Sequence, residues 1–468
     1  MFDIQNDSLQ GSLPVEAQHA MDRFISALDR REDFLNDPFA AWSPLAAMEQ
    51  RIWECGGEIL AQPEIYADFI REMTSSRDTR LVRAGIWLSA LMDQGIEQIG
   101  TVLENTDDLD EPETAAFLKA LGRGLESVAG EKTLPLIYIL ARAKDPVRRT
   151  FAAAYLGYRR LNIPMLLLTL IEDDDEAVAA EAAITAGKLG VIELRPRLEN
   201  SMRERYRTGD LAGRDHLALA LHLLGSPLPG LHARACLQAQ EPISNRLAML
   251  MAIDGRMEDE VFFHQMAANP EQPKFCRHIL AAWGFPQAVP MLIDALSEHP
   301  DKSAAVADAL YQITAAPLWH RDDTALADAE VITEDLEDAE AFDEESLDSL
   351  DMESLDGEDS LEMHTAEEPP QPSIDPMRWH HWWLDHQDRF DSETRYRFGR
   401  PLHADVLLSQ LGSEHGCLRE RRRALWELAR CKGFGPGMAF EPDWWSQHQY
   451  HYLAILKERL NGASDPEA

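Results

Sequence analysis

The sequence has few cysteines, a shortage of basic residues and no long apolar segment, and each shortage excludes a class of protein. Its five cysteines are scattered through 468 residues without paired spacing, so we expect neither a disulfide framework nor a zinc site. No apolar run is long enough to span a bilayer, and the N-terminus lacks the basic and apolar regions of a secretory signal. We therefore expect a cytoplasmic protein with no membrane partner.

Acidic residues outnumber basic ones by 82 to 44, which gives a formal net charge of −38. Nucleic-acid binding requires clustered Lys and Arg against the phosphates, so this balance argues against a nucleic-acid partner. The charge is unevenly distributed, because 21 Asp and Glu residues and no Lys or Arg lie between Asp322 and Gln371. The rest of the chain carries −17, which is only moderately acidic.

An internal repeat is present between residues 145 and 190. Asp145 and Asp175 each begin a unit in which a glycine, Gly157 or Gly187, follows twelve residues later, with an alanine pair at the same offset. An Asp before a helix accepts hydrogen bonds from first-turn amides, and glycine tolerates the turn at a helix end. Because neither helix of such a pair can bury its apolar face alone, units of this kind stack.

Weaker copies of the unit extend the array in both directions. The glycines of successive units recur about 30 to 38 residues apart, within the range of helical solenoids. The sequence thus predicts an all-α fold: an α-solenoid of helical hairpins over residues 61–320, preceded by a helical cap over 1–60. An ordinary all-α domain is the alternative for the array, and a separate docking module is the alternative for the cap.

The repeat resembles the HEAT family, particularly its short bacterial form, over roughly residues 75–320. Arg148 occupies the position of the arginine in the family pattern, but the next unit has Val178 and Ala179 in this turn and no arginine, so a ladder of Asp–Arg pairs is incomplete. One group of HEAT-like proteins, the deoxyhypusine hydroxylases, holds two irons with His-Glu dipeptides. This sequence has no such dipeptide, so we expect no metal and no cofactor.

Residues 321–372 change composition abruptly to acids interspersed with single leucines. Such a segment cannot bury enough apolar area to offset chain entropy, and its like charges repel, so the sequence predicts a disordered acidic linker. It is either a solvated spacer or a short acidic-hydrophobic motif that folds against a partner.

Residues 373–462 form a predicted C-terminal helical module, followed by a tail over 463–468. This module holds six of the eleven tryptophans, and Trp379, Trp382 and Trp383 share one helical face, a spacing more typical of a core than of a binding site. Seven of its arginines could dock an acidic peptide, the chain's own linker included. A solvated basic face is the alternative. The candidate partner-binding residues are Trp382, Trp383, Arg395, Arg397, Arg400, Arg421, Arg422 and Arg423.

The whole arrangement resembles an uncharacterised proteobacterial family of HEAT-like proteins often encoded near type VI secretion genes. The resemblance is carried by the early helix with His19 and Ala20, by the Ala-rich repeats and by the run from Trp379 to Pro401. The long acidic linker departs from the family. The resemblance implies a cytoplasmic accessory role, such as an adaptor or cargo chaperone, and no known active site.

The leading functional hypothesis is therefore a non-enzymatic scaffold that binds protein partners. An alternative is a small-molecule or chromophore-handling protein of the lyase-like kind, which would require a pocket with paired polar groups. A third possibility, recognition of DNA lesions by a HEAT-type glycosylase, requires a basic concave face and is opposed by the charge.

Overall fold

The computed structural model is almost entirely helical, which confirms the all-α class. Among the residues described, strands are limited to a short antiparallel pair, β1 (Tyr396–Arg397) and β2 (Arg400–Pro401), in which Tyr396 lies opposite Pro401. The structure describes residues 13–37, 40, 42–104, 106, 109–208, 214–267, 273–298, 303–320, 371–413, 416–431, 434–438 and 440–463.

The chain divides into two compact units. The first unit comprises residues 1–250 and 403–468, and the second unit comprises residues 251–402. The helices of the first unit are α1 (Val15–Asn36), α2 (Leu45–Leu60), α3 (Pro63–Thr74), α4 (Thr79–Leu91), α5 (Gly95–Glu104), α6 (Glu111–Gly124), α7 (Leu134–Leu140), α8 (Pro146–Tyr158), α9 (Pro164–Ile171), α10 (Glu176–Leu189), α11 (Arg195–Thr208), α12 (Arg214–Leu223), α13 (Leu228–Gln238), α20 (Ala404–Leu411), α21 (Leu418–Leu428) and α22 (Ser446–Ala463). The boundary at residue 250 falls within α14 (Asn245–Asp254). Those of the second unit are α15 (Glu260–Ala267), α16 (Pro273–Trp283), α17 (Ala288–Glu298), α18 (Ser303–Thr314) and α19 (Pro376–His386).

This division differs from the predicted C-terminal module. Residues 373–402 belong to the second unit, where α19 packs against α17 and β1 packs against α18. Residues from 403 onward belong to the first unit, where α20 packs against α21 and α22, and α22 reaches α2. The tryptophans of the predicted module therefore serve two separate cores.

The predicted acidic linker is an insertion in the second unit. Most of it, residues 321–370 (the acidic insertion), lies outside the described residues. The residues on either side of it are joined, because the His320 amide donates to the Gln371 carbonyl (2.8 Å) and the Ser373 amide donates to the Leu318 carbonyl (2.7 Å). The residues that flank the acidic insertion are thus hydrogen-bonded to each other within the second unit, whereas the sequence predicts a connection between two domains.

The repeat units begin as the sequence predicts. Asp110, Asp145 and Asp175 are the N-caps of α6, α8 and α10, and their carboxylates accept hydrogen bonds from backbone amides two or three residues later, at 2.9 to 3.0 Å. Such caps satisfy amides that have no partner within the helix. The aspartates therefore fix the starts of three successive first helices.

The two repeat glycines act differently from the prediction, because both lie inside their helices. A Cβ atom on Gly157 would lie 2.6 Å from Thr185 Oγ1, and one on Gly187 would lie 2.9 Å from the Ala220 carbonyl oxygen. Each glycine therefore allows the next first helix to approach closely. The left-handed turn that ends α10 is made by Gly190, whose φ is 68°.

The arginines of the repeat also bind differently from a simple Asp–Arg ladder. Arg148 donates to the carbonyls of Leu103 (3.3 Å) and Thr106 (2.7 Å), at the end of α5. Its neighbour Arg149 makes the bond to the following unit, a bidentate pair with Asp173 at 2.7 and 2.9 Å. The sequence pattern identified the first arginine but not the second.

Candidate functional site: an aromatic cleft in the first unit

A cleft of about 730 Å³ opens in the first unit between α2, the turn after α6, and the start of α22. This volume falls in the range of about 300 to 1,000 Å³ that is usual for small-ligand sites. Its walls are rich in rings that come from three distant parts of the chain: Trp53, Tyr158, Trp444, Trp445, His448, His451 and Tyr452.

A buried ion cluster forms the floor of the cleft. Arg31 of α1 lies between two carboxylates, with its Nε 2.9 Å from Glu49 and its Nη1 3.1 Å from Glu126, and all three side chains are almost fully buried. Glu126 also accepts hydrogen bonds from Arg123 (2.9 Å) and from the Tyr158 hydroxyl (2.8 Å). Both acids of the floor are thus paired by groups of the chain itself.

The pKa shifts in this cluster reflect competition between burial and charge. Burial raises the pKa of Glu49 above its ordinary value, although Arg31 lowers it. Burial disfavours the charged form of Arg31 and so lowers its pKa, but the charges of Glu126 and Glu49 raise the pKa, and the net shift is upward. Burial also raises the pKa of Tyr158 well above its ordinary value, so its hydroxyl stays protonated and donates to Glu126.

The C-terminal segment closes one side of the cleft. The Ser446 amide and hydroxyl both donate to the second oxygen of Glu49 at 2.6 Å, across 397 residues of sequence. The Trp444 indole donates to the Tyr158 carbonyl at 2.9 Å. The Arg31 guanidinium also lies 4.5 Å from the ring of Trp445, a cation–π distance. Folding of this wall therefore depends on the ion cluster beneath it.

Trp53 of α2 contributes an exposed indole to the lining of the cleft. Trp53 is 44% exposed. Its ring centroid lies 4.8 Å from that of the fully buried Trp87 and 5.7 Å from that of Trp445. Trp53 thus contacts two other tryptophans and keeps part of its side chain exposed in the cleft.

Two of the predicted partner-binding arginines of α21 are buried. Arg421 is fully buried, donates to the Leu411 carbonyl (2.8 Å) and to the Gln449 side chain (2.6 Å), and lies 4.1 Å from the Trp42 ring. Burial lowers its pKa to about 9, which keeps it protonated at neutral pH. Arg423 is also buried, and only Arg422 is exposed. A shared docking surface is therefore not formed by these three residues.

The other arginine group lies in the second unit, and one of its three members is buried. Arg395 donates to three carbonyls, those of Ile253, Ala282 and Trp283, at 2.7 to 3.0 Å. Arg397 is fully buried, whereas Arg400 is exposed. The two predicted arginine groups belong to different compact units. Their clustering in sequence reflects packing within each unit.

The two predicted tryptophans lie on α19 in the second unit. Trp383 is buried and its ring centroid lies 5.4 Å from that of Phe390. Trp382 is half-buried and stacks on His386 at 4.4 Å with nearly parallel rings. Intramolecular packing thus accounts for both rings.

A cysteine–histidine pair that the sequence analysis did not single out lies in α13. Cys236 Sγ and His232 Nε2 are 3.0 Å apart. Burial raises the pKa of the thiol, and burial lowers the pKa of His232 to about 4, so both groups are neutral at neutral pH. A reactive cysteine requires the thiolate, which this environment disfavours. Within the described ranges, no group of three His, Cys, Asp or Glu side chains is arranged to hold a metal ion.

No protein-family model, curated protein or solved structure matches this chain. In the part of the chain that the structure covers, no helix combines the length and apolarity needed to cross a membrane. The cleft, which joins residues hundreds of positions apart, was not predicted. The adjacent Trp444 and Trp445 gave a signal, but the sequence does not show that they pack beside Glu49 and Trp53.

Proposed function

We propose that this chain is a non-enzymatic scaffold that binds protein partners. We further propose that α3 to α13 belong to the α-solenoid of HEAT-like hairpins that the sequence predicts over residues 61–320, with α1 and α2, within residues 1–60, as its cap. In support, the first helices α4, α6, α8, α10 and α12 pack against one another in succession. Each is followed by a second helix, as stacked hairpins require.

The observation that carries the proposal is the exposure of large apolar side chains on or beside the second helices. Met165 of α9 is 75% exposed, and Tyr138 and Ile139 of α7, Ile192 before α11 and Leu231 of α13 are exposed as well. Apolar surface that folding leaves in water is typical of protein–protein contact sites when it recurs across neighbouring elements. The second helices are therefore the proposed recognition surface.

A role as an accessory protein or cargo chaperone of type VI secretion, in the cytoplasm, belongs to the same proposal. It is supported by the run from Trp379 to Pro401, which resembles the proteobacterial HEAT-like family often encoded near type VI secretion genes. None of Cys55, Cys236, Cys417 and Cys431 forms a disulfide, as expected in a reducing compartment.

The test is affinity capture from the native cytoplasm with quantitative mass spectrometry. The variants Ile139→Asp and Met165→Asp place a charge on the proposed surface and should lose the captured protein. Val15→Asp is the matched control, because Val15 is 72% exposed but lies on α1, away from the second helices. Equal capture by all four proteins would exclude the second helices as the recognition surface.

A second candidate function, binding of a small molecule, is favoured by the cleft.

A further inference from the structure

The acids of the cleft floor have no free charge to offer a ligand. Glu49 is bonded to Arg31 and to Ser446, and Glu126 is bonded to Arg31, Arg123 and Tyr158. A cationic ligand would have to replace one of these partners, at the cost of leaving a buried arginine unpaired. The floor therefore disfavours cations.

The basic residues that line the cleft are engaged in the same way. Arg160 donates to Glu441 (2.9 Å) and to the Lys188 carbonyl (2.8 Å). Arg159 donates to the carbonyl of Leu125 at 2.8 Å. An anionic ligand would thus lose its hydration without gaining a free cation. The site is adapted to an uncharged ligand.

Apart from Glu131, which is exposed to solvent, the side chains that remain for a ligand are an amide and two imidazoles. Gln447, His448 and His451 are exposed on the first turns of α22 and line the cleft. Burial and the nearby Arg159 lower the pKa of His448, so its imidazole is neutral and has one donor and one acceptor nitrogen. Trp445 is buried, and its indole nitrogen has no acceptor among the residues the structure describes. A buried donor without an acceptor is unusual in a native protein and points to an absent acceptor.

The exposed face of Trp53 supplies the apolar half of the site. Its ring is fixed against Trp87 and Trp445, so little conformational entropy is lost when a second ring stacks on it. Aromatic rings prefer offset or edge contacts with centroids about 4.5 to 7 Å apart. A ligand with a flat aromatic ring could therefore stack on Trp53 and gain the most from this surface.

From this geometry we propose that the cleft binds a small, uncharged aromatic ligand that stacks on Trp53 and hydrogen-bonds His448, His451 and Gln447. The ligand is a free aromatic amide or heterocycle, or the aromatic side chain and backbone amide of a bound peptide. These sources share the same chemistry. The proposal does not depend on the scaffold function, because the cleft and the second-helix surface use different residues.

The test uses four probes in ligand-observed saturation-transfer NMR with the full-length protein. Nicotinamide represents a free aromatic amide, and N-acetyltryptophanamide represents an aromatic residue of a peptide. N-acetylleucinamide lacks the ring, and N-acetyltryptophan carries a negative charge. We expect at least one neutral aromatic probe to bind with a Kd near or below about 1 mM, which is within reach of a ligand of this size. N-acetylleucinamide and N-acetyltryptophan should bind at least about tenfold more weakly.

The probe affinities of two variants test whether the aromatic probe binds in the cleft. Trp53→Ala should weaken the aromatic probe about tenfold, as expected for loss of one stacking partner. Because that change also affects packing against Trp87, the double variant His448→Ala/His451→Ala provides an independent measure on an exposed helix face and should weaken binding as well. His19→Ala, an exposed histidine of α1, is the matched control and should bind as the wild type does.

The outcomes are distinct. Preference for nicotinamide indicates a free ligand, and preference for N-acetyltryptophanamide indicates a peptide side chain. The proposal is overturned if neither aromatic probe binds, if the leucine probe binds equally well, or if the histidine double variant leaves affinity unchanged. Capture by the second-helix surface can succeed or fail independently of each result.

Discussion

Removal of Arg31 should be the most destabilising single change in the ion cluster of the first unit. In Arg31→Met, Glu49 and Glu126 both lose their shared cation while they remain buried. Breaking a buried ion pair from one side costs about 3–5 kcal/mol, because the remaining charge is left uncompensated. Glu126 retains Arg123 and Tyr158, so most of the loss falls on Glu49. We expect a loss of about 4 kcal/mol, roughly a thousandfold in the unfolding equilibrium.

Hydrogen exchange measured by mass spectrometry gives a local readout of this loss. The Ser446 amide donates to Glu49 at 2.6 Å, so peptides that cover the start of α22 should exchange much faster in Arg31→Met. Urea unfolding gives the corresponding free energy. The variant Arg31→Met/Glu49→Gln should recover part of the loss, because a neutral amide needs no counter-ion. A loss below about 1 kcal/mol, the range of surface pairs, would refute the burial of this cluster.

The same variant has a pH dependence with a definite sign. Burial raises the pKa of Glu49 and Arg31 lowers it, so removal of Arg31 raises the pKa further. A carboxyl whose pKa is higher in the folded chain than in the unfolded chain stabilises the fold when protonated, and this contribution is lost as pH rises through the folded pKa. The deficit of Arg31→Met should therefore shrink as pH falls from about 8 to about 5. A deficit that grows on acidification would contradict the assignment to Glu49.

Two further predictions concern the repeat and the insertion. Gly157→Ala should cost about 1–3 kcal/mol in urea unfolding, because its Cβ would lie 2.6 Å from Thr185 Oγ1. Gly57→Ala, on the exposed face of α2 with nothing within 4 Å of the new Cβ, should stabilise by about 0.5–1 kcal/mol, and equal effects would contradict the close approach. Replacement of the acidic insertion by a short Gly/Ser turn should raise the stability of the second unit by up to about 2 kcal/mol, because its ends are already bonded through His320 and Gln371. Lower thermal stability of the shortened chain would show that the insertion contributes to the fold.

Sequence reasoning succeeded where the determinant is local. Asp145 and Asp175 cap their helices because an N-cap needs only a carboxylate and the amides of the next turn, and both lie within three residues. The role of Gly157 was predicted wrongly for the converse reason. A glycine near a helix end is compatible with a turn or with close packing, and only the position of Thr185 on the next helix distinguishes them.

The cleft could not be predicted, because its aromatic surface and its ion cluster are both formed by tertiary contacts between residues that are far apart in the sequence. Trp53 is an exposed residue of an amphipathic helix by its spacing, and its contact with Trp445 joins the two ends of the first unit. From the sequence alone, a glutamate in a helix such as Glu49 would be expected to face solvent, yet it is buried against Arg31 and Ser446. Composition identified a Trp-rich C-terminal region but not the part of the chain against which it packs.

Arg148, Arg395 and Arg421 share one kind of contact, which helps to explain why two arginine-rich segments did not form a docking surface. The last carbonyls of an α-helix have no partner within the helix and carry partial negative charge. Arg395 donates to carbonyls at the ends of α14 and α16, Arg421 to the last residue of α20, and Arg148 to the end of α5.

A guanidinium has five donors in a fixed plane, so one arginine can bond several such carbonyls, whereas the ammonium of a lysine is a compact point charge. A fold of many short helices produces many helix ends, and each buried end must be satisfied. In this protein Arg148, Arg395 and Arg421 bond helix ends to neighbouring segments of the same unit. The residues that we propose for partners and ligands are instead the exposed apolar side chains of the second helices and the exposed indole and polar groups of the cleft.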